Sequence, residues 1–144
     1  MDATNGGRAE LDDLRETFGF LDDWEERYAY IIELGKTLPP MDEALKTEAT
    51  KVRGCTSQVW MIGRECVNEE GQPCLEILAD SDAHIVRGLI RILHILYSGR
   101  TKAEIAAINA ESFLHELGLD QHLSPSRRNG LFSMVERIRA LASA

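Results

Sequence analysis

In the stretch Lys51 to Val67, KVRGCTSQVWMIGRECV, a cysteine stands one residue after a glycine and just before an alternating segment. This places Cys55 on a turn, because Gly54 can take backbone angles closed to other residues, bend the chain sharply and hold the next side chain out toward a partner. From Ser57 onward, Val59, Met61 and Gly63 alternate with Gln58, Trp60, Ile62 and Arg64, the period of a strand. A rigid element therefore delivers the thiol. Thiolate is the reactive form, and at an ordinary cysteine pKa only roughly 3% of the side chain is ionised at neutral pH. Reactivity at this position requires help from a neighbour.

Cys55 has three readings: an inert core residue, a hydrolytic nucleophile, or a carrier that accepts sulfur as a persulfide. A core cysteine normally sits within an apolar period, whereas this one lies between Gly54 and Thr56. A hydrolase needs a base, and His84, His94, His115 and His122 are all distant in sequence, with no third orienting group identifiable. A carrier asks less, since thiolate attack on a donor persulfide moves a single sulfur atom. Cys66 lies on the strand, on the side of Trp60 and Ile62, and Cys74 opens the next strand; both read as structural. An odd count of three cysteines argues against a disulfide framework and suits a reducing compartment. The spacing has no C-x2-C pair and no intervening histidine, so no metal site is expected.

Two further groups carry charge near helix starts. Arg127 falls in the first turn of a helix opened by Ser124-Pro125, an odd place for a guanidinium because that end already bears partial positive charge. Asp80, Ser81 and Asp82 read first as caps of the following helix and second as partner contacts.

The segment GCTSQVW resembles the active-site segment of the SufE family, proteins that accept sulfur from a cysteine desulfurase. DSDAHIVRGLI at Asp80 to Ile90, HLSPSRRNGL at His122 to Leu131 and WEERYAYIIELG at Trp24 to Gly35 are similar to other segments of that family, in the same order. The resemblance implies that Cys55 is the persulfide acceptor. It implies too that Arg127, which matches the arginine of the family's L-x-P-S-R segment, stabilises a thiolate or persulfide anion. Gly54, Thr56, Ser57, Gln58, Trp60, Asp80, Asp82 and His122 are then expected to shape the loop or touch the partner. The implied partners are a cysteine desulfurase, which carries pyridoxal phosphate, and an iron-sulfur cluster scaffold or downstream carrier. The chain has no cofactor of its own on this reading, and a homodimer is compatible with it. Two alternatives stand beside it: a noncovalent adaptor that docks to a desulfurase and stimulates it, and a cysteine hydrolase.

The surrounding elements must hold Cys55 in place. A chain of 144 residues fits one domain, able to bury roughly two-thirds of its unfolded surface. The net charge of −8 disfavours nucleic acid and anionic membrane. No apolar run approaches the roughly 20 residues of a membrane span, and MDATNGGRAE has neither a signal-peptide core nor a basic transit pattern, so a cytoplasmic protein is expected. Residues 1–10 read as a mobile tail and 11–144 as the domain. Leu11, Leu14 and Phe18 predict a short helix stopped near Gly19, and Asp22 or Asp23 caps a second through Gly35. Met41 to Thr50 reads as a loop with at most one helical turn. Val52-Arg53, Val59 to Val67, and the strand of Leu75, Ile77 and Ala79 predict a three-stranded antiparallel sheet, with a hairpin at Asn68 to Gly71. Helices follow from Asp80 or Ser81 to Tyr97, from a Thr101/Glu104 capping box, around Phe113 to Leu117, and from Ser124-Pro125 onward. The expected class is α+β, a small sheet packed against several helices.

Overall fold

The computed structural model describes residues 3–144, with side chains from Ala9 onward. The alternating run Val59–Val67 forms β1 and Pro73–Ser81 forms β2, paired antiparallel from Val59 opposite Ser81 to Val67 opposite Pro73. Asn68 ties the turn, its Oδ1 accepting from Glu70 N at 3.0 Å and Gln72 N at 2.8 Å. The third strand expected at Val52-Arg53 does not form. Lys51 makes one isolated bridge to Trp60, after which the turn at Gly54, with φ of 89°, takes the chain away from the sheet. On the other edge Leu75 makes a single bridge to Arg100. The sheet is therefore two-stranded, with each edge covered briefly by a neighbouring segment.

The helices are α1 (Ala3–Phe20), α2 (Trp24–Gly35), α3 (His84–Tyr97), α4 (Lys102–Ala107), α5 (Ala110–Glu116), α6 (Leu119–His122) and α7 (Pro125–Ser143), with a 3-10 turn at Glu43–Leu45. This is a mixed α+β arrangement. Local signals placed most helix starts: Asp23 accepts from Glu26 N at 2.8 Å, Thr101 and Glu104 form the capping box, and Ser124-Pro125 opens α7. Other starts differ from expectation: α5 begins at Ala110 rather than near Phe113, and α6 is not among the expected helices. α1 begins at Ala3, so residues 3–10 of the expected tail are helical, while residues 1–2 lie outside the described residues. At α3 the N-cap is Ala83 without a side-chain cap, because Asp80 and Asp82 bond elsewhere.

α3 is the central helix, packed on β2, α1, α2 and α7. Leu89, Ile92, Leu93 and Tyr97 are fully buried along it, and Val59, Met61, Ile77 and Ala79 supply the apolar side of the hairpin. α2 and α3 approach backbone to backbone. A methyl group at Gly88 would overlap the Ile31 carbonyl oxygen, and one at Gly35 would lie 2.8 Å from Gly88 N. Among the described residues no helix is long and apolar enough to cross a membrane.

The cysteine count misled on bonding. Cys66 and Cys74 are opposite one another in the hairpin, 4.9 Å apart at Cα, and are joined as a disulfide, leaving Cys55 free. An odd count therefore does not exclude a disulfide, because register rather than count decides which cysteines meet.

The close helix crossing is testable with two alanines. Gly88→Ala should destabilise the protein by about 1–3 kcal/mol through overpacking against backbone. Gly19→Ala, where a methyl meets nothing within 4 Å, should be neutral or stabilising by up to ~1 kcal/mol. Urea midpoints measure both, and a Gly88→Ala midpoint at the parent value would mean that α2 and α3 do not pack this closely.

Candidate functional site

The site is built where the loop after Gly54 lies down on α7. Ser126, Gly130 and Ser133 fall at i, i+4 and i+7, one face of that helix. The Thr56 and Ser126 hydroxyls hydrogen-bond, the Cys55 thiol donates to the Gly130 carbonyl at 3.6 Å, and Gly54 packs on Ser133. Loop residues 54, 55 and 56 thus meet helix residues 133, 130 and 126 in antiparallel order. Each small residue has a reason. A Cβ at Gly54 would sit 2.5 Å from Ser133 Oγ on a backbone already at positive φ. Gly130 lies inside a helix, where glycine costs about 1 kcal/mol relative to alanine, and a Cβ there would lie 3.5 Å from the thiol, so the position has room for little beyond a methyl.

A second anchor holds the loop from the sheet side. Asp82 Oδ1 accepts from Gln58 N at 3.1 Å, and Asp82 N donates back to Gln58 O at 3.3 Å. Asp82 is therefore a clamp on the loop's exit rather than a helix cap. Asp80 serves a different cluster: it lies 2.9 Å from Lys46 Nζ and 3.1 Å from Arg87 Nε, the latter an ion pair without hydrogen-bond geometry. Lys46 in turn stands 5.5 Å over the Trp60 ring.

Between loop and helices lies a cavity of about 190 Å³. Val59, Val86, Leu89, Leu131 and Met134 form its apolar wall, while Cys55, Thr56, Ser57, Ser124, Ser126 and Arg127 supply the polar side. Arg127 is half-buried, and among the described residues its guanidinium has no hydrogen-bond or ion-pair partner; its backbone N donates to the cap oxygen of Ser124 at 3.3 Å. Arg128 is exposed, its Nη1 3.5 Å from Asp120 O. Burial pushes the Cys55 thiol up from its ordinary range. The resting side chain is accordingly protonated at neutral pH and turned inward onto α7, not held outward as the glycine turn suggested.

No histidine lines this cavity. His94 is held beside Arg91 on α3, its pKa pushed down first by burial and then by that guanidinium. His115 pairs with Asp120 at 2.8 Å, His84 is exposed, and His122 stacks on Trp24 at 4.2 Å between ring centroids. A hydrolytic nucleophile thus has no imidazole base at hand in this arrangement. Of the residues singled out from sequence, the fold brings Cys55, Thr56, Ser57 and Arg127 to one cavity, hinged by Gly54 and clamped through Gln58 and Asp82. Trp60, Asp80 and His122 fall outside its lining. Sequence reasoning missed Ser126, Gly130 and Ser133. The available signal was three small residues on one face of α7, including a glycine inside the helix.

The SufE family profile, described as an Fe-S metabolism associated domain, matches residues 12–142. An uncharacterized SufE-like protein of Rhizobium etli is 50% identical over 131 residues, covering 91% of this chain and 88% of its own length. Another, from Rhizobium meliloti, is 47% identical over 132 residues, covering 92% and 94%. The solution structure of a hypothetical protein from Thermus thermophilus has the same fold, with a TM-score of 0.70 at 20% identity over 92% of this chain and 93% of that one. By a profile match over nearly its whole length and by relatives about half identical to it, this chain belongs to the SufE family, with the role in Fe-S metabolism and sulfur transfer that membership implies.

Proposed function

We propose that the chain takes sulfur onto Cys55 from the persulfide of a pyridoxal-phosphate cysteine desulfurase, stimulates that enzyme by relieving it of sulfur, and passes the sulfur toward iron-sulfur cluster assembly. The observation that carries this reading is the free thiol seated at a small cavity that Arg127 also lines, its guanidinium having no hydrogen-bond or ion-pair partner among the described residues. In the step itself the Cys55 thiolate attacks the outer sulfur of the donor persulfide. The donor S–S bond breaks, its cysteine leaves as a thiolate, and the proton travels with the transferred S–H.

The geometry divides this task into states. Seated, the thiol is protonated and weakly nucleophilic; lifted from α7, it regains water and ionises more readily. A partner that displaces the loop therefore activates the thiol without supplying a base. A persulfide returning to the cavity has space, since about 190 Å³ exceeds the roughly 30 Å³ of a single water. There the N-terminus of α7 and Arg127 favour an anion.

Three outcomes test the reading. After incubation with desulfurase and cysteine, wild type should gain about 32 Da per sulfur atom moved by thiol exchange, and Cys55→Ser should gain nothing. If Cys55→Ser still stimulates the desulfurase fully, the protein is a noncovalent adaptor. Arg127→Ala should slow single-turnover transfer about tenfold, the equivalent of about 1.4 kcal/mol of anion stabilisation, while Arg128→Ala should not; equal rates for all three proteins remove Arg127 from the site.

The third outcome concerns the seat. Gly130→Ala places a methyl 3.5 Å from the thiol, ordinary contact, and should leave alkylation of Cys55 unchanged. Gly130→Leu should expel the loop and raise the neutral-pH alkylation rate about tenfold or more, as the burial that raises the pKa is lost. Because the seated thiol's pKa is raised, seating contributes its full stability below the ordinary cysteine range and loses it as pH climbs through the raised value. The wild-type alkylation profile should therefore lie alkaline of the Gly130→Leu profile, and coincident profiles would show that the loop is not seated in solution.

A further inference from the structure

We propose that Cys66 and Cys74 are a reversible dithiol–disulfide couple, a second sulfur site that exchanges with low-molecular-weight thiols and disulfides independently of Cys55. The two residues face one another near the end of the β1–β2 ladder, 4.9 Å apart at Cα, within the span that disulfides bridge without backbone movement.

Their proximity does not depend on the bond between them. Asn68 closes the adjacent turn through Glu70 and Gln72, and its own N donates to Gln72 O at 3.0 Å. One residue inward from Cys74, Leu75 is fixed by bonds to Arg100 and Gly99 at 2.9 and 2.8 Å. A reduced chain therefore keeps both thiols side by side, ready to close again. A disulfide that pinned together otherwise distant segments would behave differently, since opening it would release them.

Access is unequal, and this sets the order of events. Cys74 is 4% exposed, whereas Cys66 is partly open and precedes Val67, which is 72% exposed. A small thiolate attacks the Cys66 sulfur; the protein S–S bond breaks, Cys74 leaves as a thiolate and takes up a proton, and a mixed disulfide remains on Cys66. A second small thiolate attacks the small-molecule sulfur of that mixed disulfide, freeing Cys66 as a thiolate that is protonated in turn. In sum one disulfide and two thiols become two protein thiols and one small disulfide. Closure is the reverse, with Cys74 attacking Cys66.

The couple is set apart from the Cys55 loop. That loop enters β1 at Val59, and the seven residues onward to Cys66 span about 23 Å of extended strand. Closed, the pair withholds two thiols that would otherwise compete for sulfur, leaving Cys55 as the free one of three cysteines. That consequence rests on the persulfide reading above; the exchange itself does not and is tested without any desulfurase.

The full chain would be equilibrated at neutral pH in glutathione buffers of graded ratio, quenched in acid, alkylated under denaturing conditions and weighed intact. Oxidising buffers should yield one alkylated thiol and reducing buffers three. The transition should be reversible, shift tenfold per about 30 mV as a two-electron couple does, and leave circular dichroism unchanged. Cys55→Ser should give zero and two. Cys74→Ser should trap glutathione on Cys66, and Cys66→Ser should trap little on Cys74. A bond that yields to glutathione only when the protein unfolds would make the pair a permanent staple and overturn the proposal. Three thiols at every ratio would overturn it as well.

Discussion

Desolvation of one thiol is the constraint on which the rest of the arrangement depends. A neutral cysteine is a small, nearly apolar side chain and packs against a helix at little cost, while its thiolate loses the water it needs when placed there. The seat on α7 therefore selects the protonated state by geometry. It works because position 130 is small, allowing the thiol to reach the helix backbone at 3.6 Å, and because Ser126 and Ser133 flank it with small polar groups. A bulkier residue at the centre of this face would leave the thiol in solvent.

Much of the fold keeps that seat and its loop in register. The loop runs directly into Val59 and Met61, both essentially buried, so the strand that follows Cys55 is fixed in the core. α7 is held by the same core through Leu131, Met134, Val135 and Ile138. Asp82 ties the loop's exit to the segment that enters α3. Loop and helix are thus each rigid at their roots, and the contact between them rests on a hydroxyl pair, one weak sulfur hydrogen bond and glycine contacts. Such a contact is inexpensive to break, and breaking it changes the chemistry of the residue it holds.

The molecule also separates its sulfur atoms by environment. At one end of β1 a free thiol sits at a cavity that Arg127 also lines; near the other, two cysteines are paired by strand register. The overall acidity, −8 in net charge, makes the positive character at the start of α7 a local exception. An anion is favoured there by Arg127 and by the helix end.

Short-range signals made much of this legible in the sequence. Cap residues such as Asp23, Thr101 and Ser124, the alternation of β1 and β2, and the apolar period of α3 are properties of neighbouring residues, and they placed those elements correctly. The glycine before Cys55 and the arginine behind Ser124-Pro125 marked the chemistry for the same reason, and the motifs around them indicated the family. Tertiary structure alone decided the rest. The third strand shrank to one bridge because the Gly54 turn diverts the chain, the α3 cap was lost because Asp80 and Asp82 found distant partners, and Cys66 met Cys74 through hairpin register. Above all, whether Cys55 points outward or in depends on residues 126, 130 and 133, some 70 to 80 positions away. Small residues that work by their lack of bulk leave no apolar period to read, so only the folded chain shows what they receive.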